Sequence, residues 1–262
     1  MTTCETLRIE GVTVTYNGRP ALEDVTFSVL EGERIAVVGP NGAGKSTLFR
    51  VIVGLLVPER GRVEVFGCDP FRRRAPIGYV PQREDVDLSF PVTVADVVMM
   101  GRIREMGWLR WPSRRDREAV RRALEEVGLL PLADRSLNEL SGGQLQRAFI
   151  ARALVQEAPM LLMDEPFTGV DVVSEEAILE LLDRLRERRV TVLLATHDLN
   201  LAASRFDRVL LLNGRMIAYG PPGEVLCPAI LRQAYGGQMA LWEHERGLTV
   251  LSDVHCSGGR RP

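Results

Sequence analysis

The nine residues Gly39-Pro-Asn-Gly-Ala-Gly-Lys-Ser-Thr47 leave few folds open to this chain. They fit G-x-x-x-x-G-K-[ST], with Gly39, Gly44, Lys45 and Ser46 in register. Arg34-Ile-Ala-Val-Val38 before them reads as a buried strand, and Leu48-Phe-Arg-Val-Ile-Val53 after them as a helix. Strand, glycine-rich loop and helix in that order aim backbone N–H groups and a helix N-terminus at one anion. The loop also holds the chain's single lysine: of 33 basic residues, 32 are arginine and one is Lys45. An ammonium is a compact point charge, whereas guanidinium is a wide planar fork, so a narrow loop wrapped around phosphates accepts the first and excludes the second. Gly39, Pro40, Asn41, Gly42, Ala43, Gly44, Lys45, Ser46 and Thr47 are therefore the candidate phosphate-binding residues.

The rest of the chain alternates around this unit. Residues 7–30 fall into short strand-like runs about the turn Asn17-Gly18-Arg19-Pro20, and Gly61–Phe66 adds another, which predicts an antiparallel flap carrying Tyr16. Ile77–Val80, Met160–Met163 and Val190–Ala195 read as buried strands, with helical patterns at 174–188 and 199–205. That alternation predicts a mostly parallel α/β core. Between Val92 and Ala158 the pattern is helical, which predicts an inserted helical subdomain. It carries Arg102, Arg104, Arg110, Arg114, Arg115, Arg117, Arg121 and Arg122, read chiefly as a solvated face, and Trp108 and Trp111, which suit a docking surface. Beyond Gly223 the tail is expected to start helical and to fray by Ser257–Pro262.

With 45% hydrophobic residues the chain can bury a full core, and its formal charge of −2 gives no basic field for nucleic acid. No apolar run approaches a membrane span and the N-terminus lacks a signal-peptide pattern, so a cytosolic location is expected. Cysteines 4, 68, 227 and 256 show no C-x-x-C spacing, which indicates neither a zinc site nor a disulfide framework.

Two further groups settle the class. Met160-Leu-Leu-Met-Asp-Glu-Pro166 puts Asp164 at a strand exit, where it can hold Mg²⁺ beside Ser46, with Glu165 next to it to polarise an attacking water. Leu140-Ser-Gly-Gly-Gln144 opens an amphipathic helix expected over Leu145–Gln156, and exposes N–H groups to a second anion. With the phosphate loop, these residues resemble the nucleotide-binding subunits of ATP-binding cassette (ABC) transporters over about residues 7–225.

The resemblance implies a P-loop NTPase core of RecA-like α/β type, with an antiparallel β subdomain and an α-helical subdomain inserted at about 88–158; residues 226–262 would be a short extension. It implies ATP and Mg²⁺, bound between the phosphate loop of one chain and Ser141, Gly142, Gly143 and Gln144 of a second copy. By the same resemblance Tyr16 stacks on adenine, Gln82 contacts Mg²⁺ and the attacking water, Asp171 lines the dimer contact and His197 touches the γ-phosphate. Catalysis would rest on Glu165, His197 and Gln82, and the metal on Ser46, Gln82 and Asp164. Leu145 and Thr168-Gly-Val-Asp171 depart from the family's commoner residues without removing a catalytic group that the resemblance implies.

Three stretches, 80–87, 90–101 and Glu165–Asp171, look like those of zinc, manganese and iron importers. The implied partners are integral membrane permease subunits and, indirectly, an extracytoplasmic metal-binding protein, with the chain on the cytoplasmic face of the membrane and no nucleic acid. His244, Asp253, His255 and Cys256 are too irregularly spaced to be read as a metal sensor. A soluble ABC ATPase, an ABC ATPase for another cargo or for export, and a nucleotide switch without turnover are the competing readings.

Overall fold

The computed structural model describes residues 4–72, 75–82, 91–106, 111–236, 240–244 and 247–251. Strands β1 (Glu5–Tyr16) and β2 (Arg19–Leu30) form a hairpin closed by Asn17 and Gly18, both at positive φ. Two consecutive left-handed residues match the twist of the flanking strands, which is why Asn-Gly serves there. The flap strands are thus long and bulged, not the short runs anticipated, because register shifts such as that between Ile9 and Val12 let each bend without ending. β3 (Arg34–Val38) leads through the phosphate loop into α1 (Lys45–Ile52), and β4 (Arg60–Val65) pairs antiparallel with β1.

After β5 (Ile77–Val80) come helices α2 (Val94–Met100), α3 (Ile103–Met106), α4 (Arg114–Glu126) and α5 (Gly142–Leu154). Thr93 with Asp96 and Ser113 with Asp116 close capping boxes that start α2 and α4. Most described members of the arginine cluster are exposed, as expected, but Arg102 is buried. Its Nε lies 3.2 Å from Asp116 and its Nη1 donates to the Val155 carbonyl at 3.1 Å, so it ties α4 to the end of α5. Arg110 and Trp108 lie outside the described residues.

The chain returns to the sheet with β6 (Met160–Asp164), α6 (Val172–Glu187), β7 (Thr191–Thr196) and α7 (Leu199–Arg205). Two strands not anticipated follow, β8 (Arg208–Asn213) and β9 (Arg215–Gly220). Their signal was an apolar run ending in Asn213-Gly214, another hairpin pair. The sheet runs β4-β1-β2-β9-β8-β3-β7-β6-β5. From β8 to β5 every pairing is parallel, and β9, antiparallel to β8, meets β2 through the single pair Glu23 and Arg215. That bridge joins flap to core.

Alternation along the parallel strands fills both faces. Ala36, Val38, Leu161, Met163, Val192 and Leu194 pack towards α4, α5 and α6, whereas Ile35, Val37, Leu162 and Leu193 pack with α1 and the flap. A strand buried on both sides carries a near-continuous apolar run, and β3, β6 and β7 are buried throughout, with polar Arg34, Asp164, Thr191 and Thr196 only at their ends. The tail is helical through α8 (Pro222–Val225) and α9 (Pro228–Tyr235) and then forms a hairpin, β10 (Ala240–His244) with β11 (Gly247–Leu251). Residues 252–262, with Asp253, His255, Cys256 and the expected frayed end, lie outside the described residues.

Candidate nucleotide-binding site

Parallel pairing decides where the site lies. Val38 stands opposite Thr196 and Asp164 opposite Ala195, so β3, β6 and β7 end at one edge of the sheet. The phosphate loop, Glu165 and His197 leave from that edge, and Gln82 follows from β5, two residues past Val80. Open α/β sheets bind ligands there, outside the carboxyl ends of the strands.

Close approach explains the loop glycines. A Cβ on Gly39 would run into the Leu212 carbonyl, and one on Gly44, at φ 97°, would meet the Ala21 carbonyl at 2.5 Å and Leu22 Cδ2 at 2.7 Å. Both are needed for the loop to sit between β2 and β8. No side chain caps α1 at Gly44 and its first turn holds no acid, so its leading N–H groups are left for a ligand. Lys45 is 5% exposed. Its Nζ donates to the carbonyls of Gly39 at 3.0 Å and Pro40 at 3.4 Å and sits 3.4 Å from Glu165 Oε1.

Asp164 ends β6, 1% exposed, and neither carboxylate oxygen has a hydrogen-bond partner among the described residues. The Ser46 hydroxyl lies near enough to favour the ionised form. Burial pushes the Asp164 carboxyl up, with help from the Glu165 charge, while Ser46, Lys45 and Arg50 oppose the shift. A carboxylate raised in the fold costs stability when ionised, at pH above its folded value, and costs nothing once pH falls below the ordinary 3.8. Asp164→Asn should therefore unfold at a higher temperature than the parent at pH 7, by about 2–4 °C for each kcal/mol of relief, since it removes the buried charge. Thermal unfolding between pH 7 and pH 4 checks this: the gain should shrink on acidification.

Glu165 has left-handed backbone, φ 47°, and opens a turn in which the Thr168 N–H donates to its carbonyl at 3.2 Å. Its own N–H donates to the Ala195 carbonyl at 3.1 Å, which fixes the turn to β7. The carboxylate meets Lys45, His197 Nδ1 at 4.0 Å and the Thr168 hydroxyl at 3.3 Å. Sequence reasoning noted Thr168 only as a departure from the family and gave it no role; the signal for one was a hydroxyl three positions after the acid.

Ser141, Gly142, Gly143, Gln144 and Asp171 form a second cluster. The Ser141 hydroxyl accepts from the Gln144 N–H and the Gln144 side chain accepts from the Ser141 N–H, so α5 starts at Gly142 and not at Leu145. A Cβ on Gly143 would collide with the Ser174 hydroxyl and come within 2.6 Å of Asp171 Oδ2, the cap of α6. That contact, not the expected ligand alone, demands a glycine. Among the described residues no hydrogen bond or ion pair links this cluster to the phosphate loop. Tyr16, 42% exposed, ends β1 beside the hairpin turn. Residues 83–90 lie outside the described residues.

The ABC transporter family matches residues 22–168. The chain is 46% identical to the zinc transport system ATP-binding protein TroB of Treponema pallidum over 253 residues, 97% of this chain and 94% of that one. It is 46% identical to the manganese transport system ATP-binding protein MntB of Bacillus subtilis over 249 residues, 95% and 98% of the two chains. Among solved structures, a dimeric post-hydrolysis state of the ATP-binding cassette MJ0796 bound to ADP and Pi overlays with a TM-score of 0.74 at 30% identity, covering 82% of this chain and 98% of that one. A phosphate loop, a strand-end Asp-Glu pair and a Ser-Gly-Gly-Gln helix on this sheet thus have one explanation: the chain belongs to the ATP-hydrolysing cassette subunits of the ABC transporter family.

Proposed function

We propose that this chain powers the import of a divalent metal ion, zinc, manganese or iron, through separate membrane subunits at the cytoplasmic face of the membrane. The observation that carries the ATPase chemistry is the convergence of Lys45, Asp164, Glu165 and His197 at one sheet edge, with Lys45 and Glu165 3.4 Å apart. In this reading residues 1–225 are the cassette, with its helical part at about 88–158, and residues 226–262 an extension. Lys45 and the N–H groups of residues 39–47 hold the β- and γ-phosphates, and Tyr16 stacks on adenine. The two orphaned oxygens of Asp164, with the Ser46 hydroxyl and the Gln82 amide, make an all-oxygen set that suits Mg²⁺. When bound there, the ion supplies charge neutralisation on the phosphate oxygens.

Glu165 takes a proton from the attacking water as that oxygen bonds to the γ-phosphorus; the bond to the β–γ bridging oxygen breaks, and ADP and phosphate leave. His197 and Gln82 orient the γ-phosphate and the water. Ser141, Gly142, Gly143 and Gln144, which no hydrogen bond or ion pair among the described residues links to their own phosphate loop, complete the site of a second copy, with Asp171 at the contact. The similarity to a dimeric cassette supports this.

Metal import is supported by the zinc and manganese systems of the two relatives. Among the described residues no helix is long and apolar enough to cross a membrane; in this reading the path for cargo belongs to the permease subunits. Trp111, 92% exposed on the helical part, with Ile103 and Met100 also exposed, offers apolar surface for them. An extracytoplasmic binding protein would deliver the ion. Deletion of the gene should lower uptake of radiolabelled zinc, manganese or ferrous iron about tenfold or more under limitation. Unchanged uptake of all three, with loss of an organic solute's uptake, would overturn the metal assignment and leave the ATPase intact.

A further inference from the structure

The backbone fixes the Cα of Glu165 through hydrogen bonds to Ala195 and Thr168, but its side chain keeps three rotatable bonds, so other groups must select where the carboxylate points. Three do: Lys45 on Oε1 at 3.4 Å, and His197 at 4.0 Å and the Thr168 hydroxyl at 3.3 Å on Oε2. The first two have a second task. Lys45 must serve the β- and γ-phosphates and His197 the γ-phosphate, so the arrival of nucleotide draws both away from the carboxylate they face here. Thr168 has no such competing ligand. It is exposed, and its hydroxyl makes one hydrogen bond among the described residues, to Glu165.

We propose that Thr168 is a positioning residue for the catalytic carboxylate: with nucleotide bound, its hydroxyl holds Glu165 Oε2 and leaves Oε1 free to accept the proton of the attacking water. The inference rests on the reading of Glu165 as the base. The turn gives the contact its geometry, since the same residue closes the backbone ring with its N–H and reaches the carboxylate with its hydroxyl. At 3.3 Å the bond is longer than the usual 2.5–3.0 Å for a hydroxyl donor, as catalytic hydrogen bonds often are before substrate binds. A charged acceptor favours its shortening once Lys45 leaves. Proton transfer depends steeply on donor–acceptor placement, so a carboxylate free to rotate loses rate and not affinity.

The test is steady-state ATP hydrolysis by the purified full-length protein and its variants. Thr168→Val, nearly isosteric but without the hydroxyl, should lower kcat about tenfold while KM for ATP stays within twofold. Thr168→Ser should restore kcat to within about twofold of the parent. In a Glu165→Gln background Thr168→Val should change the residual rate by less than twofold, because the group it orients is gone. Parental kcat in Thr168→Val overturns the inference, as does Thr168→Ser as slow as Thr168→Val, which would make the methyl and not the hydroxyl the active part. If Glu165→Gln itself turns over at the parental rate, the base reading fails first; if it is inactive and Thr168→Val is normal, this inference alone fails.

Discussion

Glu165→Gln should reduce kcat for ATP by about 10²–10⁴, the usual cost of losing a general base, with nucleotide affinity kept. The amide retains the size of the carboxylate and can still accept from Thr168, but it cannot take the proton of water. It also removes the ion pair that occupies Lys45 in the resting site, at 3.4 Å, so ATP binding should hold or tighten. Unhydrolysed ATP should then trap a dimer, since the γ-phosphate is gripped by Lys45 of one chain and by the Ser141 helix of the other, and ADP lacks the bridging group. Size-exclusion chromatography with multi-angle scattering should give a monomer with ADP and a dimer with saturating Mg-ATP. Adding Ser141→Arg should return the ATP-bound protein to a monomer that still binds nucleotide. A variant that stays monomeric with ATP, or hydrolyses at the parental rate, would count against the paired-site mechanism.

Lys45→Arg should weaken ATP binding by about 10²–10³, although it preserves charge. Lys45 is buried and packed against the Gly39 and Pro40 carbonyls, and a guanidinium in that space displaces the loop or leaves its own N–H groups unpaired, about 3–5 kcal/mol for a buried charge out of place. Titration with a fluorescent ATP analogue gives the affinity. Because Lys45 is the sole lysine, an amine-reactive reagent supplies a second measure on the parent protein: apart from the N-terminal amine, peptide mapping should find one labelled site, shielded by Mg-ATP. Arginine at 45 binding ATP as tightly as lysine, or equal labelling with and without nucleotide, would place the phosphates elsewhere.

Local sequence determined a good part of this protein. The loop 39–47, the Asp-Glu pair and the Ser-Gly-Gly-Gln cap are short-range features, because backbone N–H groups, glycine conformations and a capping box are set by residues three or four apart. The apolar runs of β3, β6 and β7 likewise marked them as buried, since a strand covered on both faces keeps polar residues to its ends. What the sequence could not show was which long-range partners those segments meet. β8 and β9 became visible as the link between flap and core only once Glu23 met Arg215 across the sheet. Arg102, one arginine among many in the chain, is set apart by Asp116, which burial brings to it from 14 positions away. The need for glycine at 143 comes from Ser174 and Asp171 on another helix, and the orphaned state of Asp164 comes from the depth at which β6 ends. The meeting of Lys45, Glu165 and His197, three residues spread over more than half the chain, followed from parallel pairing alone: strands running the same way deliver their carboxyl ends, and whatever chemistry follows them, to a single edge.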